Sequence, residues 1–202
     1  MNNIMVSGFS NPFLTSTIVF ILSFISNVIP FGGPPYTIVT VTLLFEIGFK
    51  YYWLFVFIAS FGAILSKIVM FLVGKGFSRQ LGKNKNVRFI SKFSSKKIFY
   101  LILFILAIIP VLPFDGYLFI AGGAANISLI KMSSIVSIAK LIKTSLEIYI
   151  ELKIIGIFSY ILSISKPTIA VLLTVLFIAV GIIGFKLDWE SIVHKIRAYF
   201  NH

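Results

Sequence analysis

The chain has 202 residues, of which 58% are apolar and only 12% charged. A soluble domain carries about a quarter charged residues to face water, so this composition excludes an ordinary water-coated globule and makes lipid the expected solvent. The net charge of +12 would suggest nucleic acid only if the basic residues covered a polar face. Instead Lys75, Arg79, Lys83, Lys85, Arg88, Lys92, Lys96 and Lys97 fall in one stretch without an acid, between apolar segments. That is the pattern of a cytoplasmic loop held by anionic headgroups, and no nucleic-acid partner is expected.

In chain order, residues 1–45 carry no charged side chain. They show neither the basic start nor the small-residue cleavage site of a secretory signal, so the first apolar segment is expected to be retained. A first unit, 12–74, opens with the charge-free segment Phe13 to Val28, read as a full span. It stops at Pro30, Gly32, Gly33 and Pro34, because proline lacks an amide proton and clashes with the preceding helical turn. Tyr36 to Phe45 is too short to cross and is expected to dip into the bilayer and return. Tyr51 to Val73 reads as a full span with one charge, Lys67.

The basic loop, 75–97, follows. The second unit, 98–163, repeats the order. Ile98 to Ile109 stops at Pro110 and Pro113, and Tyr117 to Ala125 is another short apolar run. Ser133 to Ile161 is long enough to span while carrying Lys140, Lys143, Glu147, Glu151 and Lys153. A last uncharged span lies within 167–186. In the tail, 188–200, Trp189, Ile192, Val193, Ile196, Tyr199 and Phe200 recur at helical spacing behind Asp188, a suitable N-cap. This helix is expected to lie on the membrane or on the protein's own loops.

Internal similarity supports the division. Ile29-Pro30 matches Ile109-Pro110, Lys50 matches Lys131, and Gly74 matches Gly156, at a near-constant offset. The expected architecture is a single all-α, polytopic membrane domain. It holds an inverted repeat, about four full spans, two opposed re-entrant helical elements and a C-terminal amphipathic helix. With the basic loop inside, both termini are expected to be cytoplasmic. The richness in Ile, Lys and Ser points to a prokaryotic or archaeal plasma membrane.

Several fragments resemble the DedA family, also called the VTT-domain or SNARE-associated superfamily. They are Asn27-Val28-Ile29-Pro30, the stretch from Gly62 through Gly74, and Pro110-Val111-Leu112-Pro113-Phe114-Asp115 with Ala121-Gly122. The resemblance covers residues 25–160 and implies re-entrant helices facing each other and lipid translocation, by a flippase or a scramblase, of phospholipid or polyprenyl phosphate. Gly32 and Gly33 stand where many members carry a carboxylate, Ala107 where many carry an arginine, and Lys67 where members often carry an acid.

Charges at membrane depth cost at least about 2.5–3.5 kcal/mol each and therefore face protein or water for a reason. Asp115, in the turn of the second broken segment, reads either as a contact on a substrate path or as a cap for the helix after it. Lys67 can pair with Asp115, meet a lipid phosphate, or snorkel to the interface. Lys140, Lys143, Glu147 and Glu151 step by three and four along one helix face, where Lys143 and Glu147 can pair. That stripe suits a substrate or ion path, a structural network, or contact with a second copy in a homo-oligomer. Gly32, Gly33, Gly122 and Gly123 allow close helix approach. The chain has no cysteine, and His194 and His202 have no metal-ligand spacing. No hydrolytic centre emerges, so no metal, cofactor or catalytic residue is expected. The expected partners are membrane lipids, with an ion- or proton-coupled solute carrier or a non-transporting scaffold as the other readings.

Overall fold

A computed structural model describes residues 11–29, 35–83, 87, 97–109 and 114–186. The described chain is all-α. In order, its helices are α1 (Pro12–Val28), α2 (Tyr36–Ile47), α3 (Tyr52–Gly76) behind a short 3₁₀ turn (Phe49–Tyr51), α4 (Ser78–Leu81), α5 (Lys97–Ile108), α6 (Phe114–Ala124), α7 (Leu129–Leu162) and α8 (Lys166–Lys186). The residues of the two proline breaks, Pro30, Gly32, Gly33, Pro34, Pro110 and Pro113, lie outside the described residues, as do most of the basic loop and the 188–200 tail.

Local chemistry sets these boundaries. The Asn11 side chain accepts a hydrogen bond from the Phe13 amide at 2.9 Å and Pro12 follows it, a polar cap and a helix-compatible first residue together. Gly48, at φ 105°, ends α2 in a backbone conformation that strains any residue with a Cβ. Ser128 caps α7 by accepting from the Lys131 amide at 3.4 Å, and Ser163 ends it in the left-handed conformation.

Two long helices organise the rest. α3 packs against α1 and α6, whereas α7 packs against α5 and α2, so each broken pair is shared between the two long helices. The four helices of the broken pairs, α1, α2, α5 and α6, run in the same direction as the long helix beside them. Along α3, Ser23 lies by Ala59 and Asn27 by Lys67, while Gly116 lies by Lys67 and Met70 and Gly123 by Lys75. Along α7, Tyr36 lies by Thr144 and α2 continues toward Ile155. The α5 residues Phe99 and Leu103 share a core with Met132 and Val136, and Ile109 ends beside Lys143.

Glycine permits the closest contacts on α3. A Cβ at Gly74 would stand 2.0 Å from the Ile120 carbonyl oxygen, one at Gly123 would stand 2.0 Å from that of Phe71, and one at Gly62 would stand 2.7 Å from that of Phe20. Much of the described surface is apolar: Leu14, Ile21, Trp53, Phe57, Leu101, Ile105, Ile142, Ile150, Val171 and Leu172 are all exposed, whereas Lys67, Asp115 and Lys140 are buried.

Helix lengths depart from the expected count of about four spans. Among the described residues, by length and composition, Phe49–Gly76, of 28 residues, alone can cross a membrane unaided, and Leu129–Leu162 with Lys166–Ala179 passes as a pair bent by 116°. The segment read as a first span, α1, has 17 residues and stops beside Lys67, part-way along α3. It stops there because the proline break follows at once, so α1 pairs with α2 as one broken element and does not match α3 in length.

A buried charge cluster where the broken helices end

Four helix ends converge on the middle of α3 and α7, and each meets a side chain of complementary charge. The peptide dipoles of a helix leave partial negative charge on its last carbonyls and partial positive charge on its first amides. At the end of α1, Lys67 Nζ donates to the Asn27 carbonyl oxygen at 3.1 Å. At the end of α5, Lys143 Nζ donates to the Ile109 carbonyl oxygen at 3.2 Å. At the start of α6, Asp115 Oδ1 accepts from the Gly116 amide at 2.9 Å. At the start of α2, Thr37 Oγ1 donates to Glu151 Oε1 at 2.7 Å.

Asp115 is the centre of the group. Its Oδ2 lies 2.8 Å from Lys140 Nζ and its Oδ1 3.5 Å from Lys67 Nζ, with all three side chains at most 4% exposed. Charges this deep must be compensated locally, since the desolvation cost of an isolated ion runs to several kcal/mol. Asn27 completes the compensation: its Oδ1 accepts from Lys140 at 3.3 Å and its Nδ2 donates to the Ser23 carbonyl. Lys143 continues the cluster, 3.8 Å from Glu147 one turn along α7. Three ammonium groups thus face two carboxylates, which leaves one positive charge in excess where the helices end.

Of the two sequence readings of Asp115, the structure displays the cap, since the carboxylate accepts the Gly116 amide at the start of α6, and the same carboxylate pairs with Lys140 and Lys67. Lys67 does not snorkel; it is turned inward to Asn27 and Asp115. The stripe on α7 divides in two. Lys140 and Lys143 join Asp115, while Glu151 faces α2, where the Tyr36 hydroxyl lies 3.2 Å from Thr144. Glu151 Oε2 is buried without a hydrogen-bond partner among the described residues. Gly122 and Gly123 serve packing, with Gly122 against Met132 and Gly123 against the α3 backbone.

Spacing along the chain does not bring Asn27, Tyr36, Thr37 or Thr144 to these positions. Asn27 had a signal all the same: a carboxamide at the end of a charge-free segment, just before a break, is expensive in an apolar surround unless it is partnered. Among the described residues there is no group of three or more histidines, cysteines or acids placed to hold a metal ion. No family model, curated protein or solved structure matches the chain.

Proposed function

We propose that the chain is a polytopic membrane protein that moves anionic lipids between leaflets. In this reading α1–α2 and α5–α6 are two re-entrant hairpins that enter from opposite faces, related by inversion, and α3, α7 and α8 cross the bilayer. Because α1 starts level with the start of α3, the start of α1 then lies on the face opposite the basic loop, whereas the sequence suggested cytoplasmic termini. Inverted hairpins with ends near the midplane are a transporter architecture, in which exposed helix termini and side chains meet the substrate. The resemblance to the DedA family supports the same reading.

The observation that carries it is the buried Lys67–Asp115–Lys140 cluster at the ends of both breaks, inside a shell that is apolar outward. Lipid tolerates such a shell and water does not, while the excess ammonium charge suits a phosphate-bearing headgroup. The tails remain in the bilayer while the headgroup crosses along α3 and α7. Reconstitution with fluorescent headgroup-labelled lipids and a membrane-impermeant quencher tests this. Leaflet exchange that disappears in Lys140→Met is expected; correctly inserted protein that exchanges no lipid would refute it.

One observation favours a second reading, an ion- or proton-coupled solute carrier using the same two long helices. A carboxylate whose second oxygen is buried without a partner, as in Glu151, is suited to bind a proton or a cation. Ion flux in the same vesicles without lipid exchange would select that reading, and neither flux nor exchange would leave a scaffold. Membrane-facing topology is tested separately. Since the chain has no cysteine, a single cysteine introduced at Asn11 should react with an impermeant thiol reagent from the side opposite one introduced at Ser78.

A further inference from the structure

We infer that Asp115 is a resident counter-ion that sets the headgroup charge the cluster accepts, so that the substrate class is a monoanionic phosphodiester lipid, not a dianionic phosphomonoester. The inference rests on the lipid-translocation reading and specifies its substrate. It follows from counting charge in a confined space. Lys67, Lys140 and Lys143 supply three ammonium groups, and Asp115 and Glu147 supply two carboxylates within 3.8 Å of them. Glu151 lies one turn beyond Glu147 against α2, where it accepts from Thr37, and is in no ion pair with the three ammonium groups. The breaks that flank the cluster, 29–35 and 109–114, contain no ionisable side chain, so they leave this balance unchanged. One positive charge is uncompensated, and an incoming group with one negative charge neutralises the cluster. A dianion would leave a buried negative charge without a partner, which the low-dielectric surround opposes strongly.

Asp115 is also held so that a headgroup must bind beside it. Its Oδ1 accepts the Gly116 amide at 2.9 Å, and α6 is locked onto α3 at Gly74 and Gly123, where a Cβ would stand 2.0 Å from a carbonyl oxygen of the facing helix. The carboxylate is therefore fixed relative to Lys67. Lys143, by contrast, has among the described residues a carbonyl at 3.2 Å and Glu147 at 3.8 Å, and it is the ammonium most available to an added phosphate. Phosphate oxygens accept well from ammonium donors already oriented in this way.

The test compares two short-chain lipids of equal tail length, phosphatidylglycerol and phosphatidic acid. Binding to the full-length protein in a neutral detergent is measured by thermal shift and titration. The pH is set at least about one unit above the second phosphomonoester pKa of ~6, so that phosphatidic acid is dianionic. The native chain should prefer phosphatidylglycerol. Asp115→Asn leaves two excess positive charges, and the preference should invert, with phosphatidic acid gaining on the order of tenfold in affinity. The double variant Asp115→Asn with Lys67→Met returns the excess to one and should restore the original preference. If Asp115→Asn alone does not fold, Glu147→Gln, which also leaves two excess positive charges, takes its place in the comparison with the native chain.

A preference that stays with one lipid whatever the charge balance overturns the inference and leaves lipid translocation standing. Folded native protein that binds neither lipid overturns both.

Discussion

The two long helices hold their neighbours by different means. Around α3, contact is made backbone to backbone: Gly62 admits α1, and Gly74 and Gly123 bring α6 within reach of the α3 carbonyls. Around α7, the counterpart glycine, Gly156, has nothing within 4 Å of where a Cβ would stand. There the joints are side chains, with Thr37 on Glu151, Tyr36 on Thr144, and the Tyr52 hydroxyl donating to the Ser145 carbonyl at 2.7 Å. Glycine contacts are rigid and allow no adjustment in spacing, whereas hydroxyl joints break and reform individually. The α1–α3–α6 group is thus built as a fixed body. α7 with α2 is the side on which relative movement costs less, and the Lys140–Asp115 pair joins the two.

This contrast is open to direct attack. The largest effect should come from Gly74→Val, which forces the α6 backbone away from α3. Overpacking of this kind costs about 1–3 kcal/mol and often more against backbone, and thermal unfolding in detergent should show outright loss of the folded protein. Lys140→Met is expected to come next. It removes the charged link between the bodies and leaves Asp115 with Lys67 as its one ammonium partner among the described residues, at a cost of about 3 kcal/mol for breaking a buried pair. If Lys140→Met unfolds no more easily than the native chain, the two bodies are not joined there.

Thr37→Val should be milder. It removes the one hydrogen bond that Glu151 accepts among the described residues, with a loss of about 1–2 kcal/mol, and slowed lipid exchange would show that the α2–α7 joint matters to movement. Gly156→Ala is the smallest. With open space at the Cβ position and alanine's higher helix propensity, the protein should be unchanged or more stable by up to about 1 kcal/mol, in contrast to the same change at Gly74.

Much of the segmentation was readable in advance, because proline breaks and charge-free runs are local signals. The helix starting at Tyr36, the interruption before Asp115, and the stripe of Lys140, Lys143, Glu147 and Glu151 all follow from neighbours in the chain. The approach of Lys143 to Glu147 was readable too, being a matter of one helical turn, and Lys67 was rightly considered against Asp115 since few opposite charges were on offer. What stayed hidden depends on contacts between distant segments. Asn27 bridging two lysines, and the capping of α1 and α5 by ammonium groups from α3 and α7, require knowing which helices lie side by side. The length of α1 relative to α3 stayed hidden for a related reason: apolar composition alone does not show that its last turn stands beside Lys67, part-way along the longer helix.

The bend after α7 has a consequence for the rim of the molecule. At Ser163 the chain turns by 116°, with the Ser159 hydroxyl donating to the Ile164 carbonyl at 2.7 Å across the corner. α8 is thereby sent back over α2, where Ile169 and Ala170 are buried and the Lys166 ammonium sits 4.4 Å from the Phe45 ring centre. α8 acts as a buttress for the end of α2 distant from the charge cluster while leaving Lys67, Lys140 and Lys143 untouched. A chain ending before Ser163 would keep its charged centre but lose the wall that holds α2 upright.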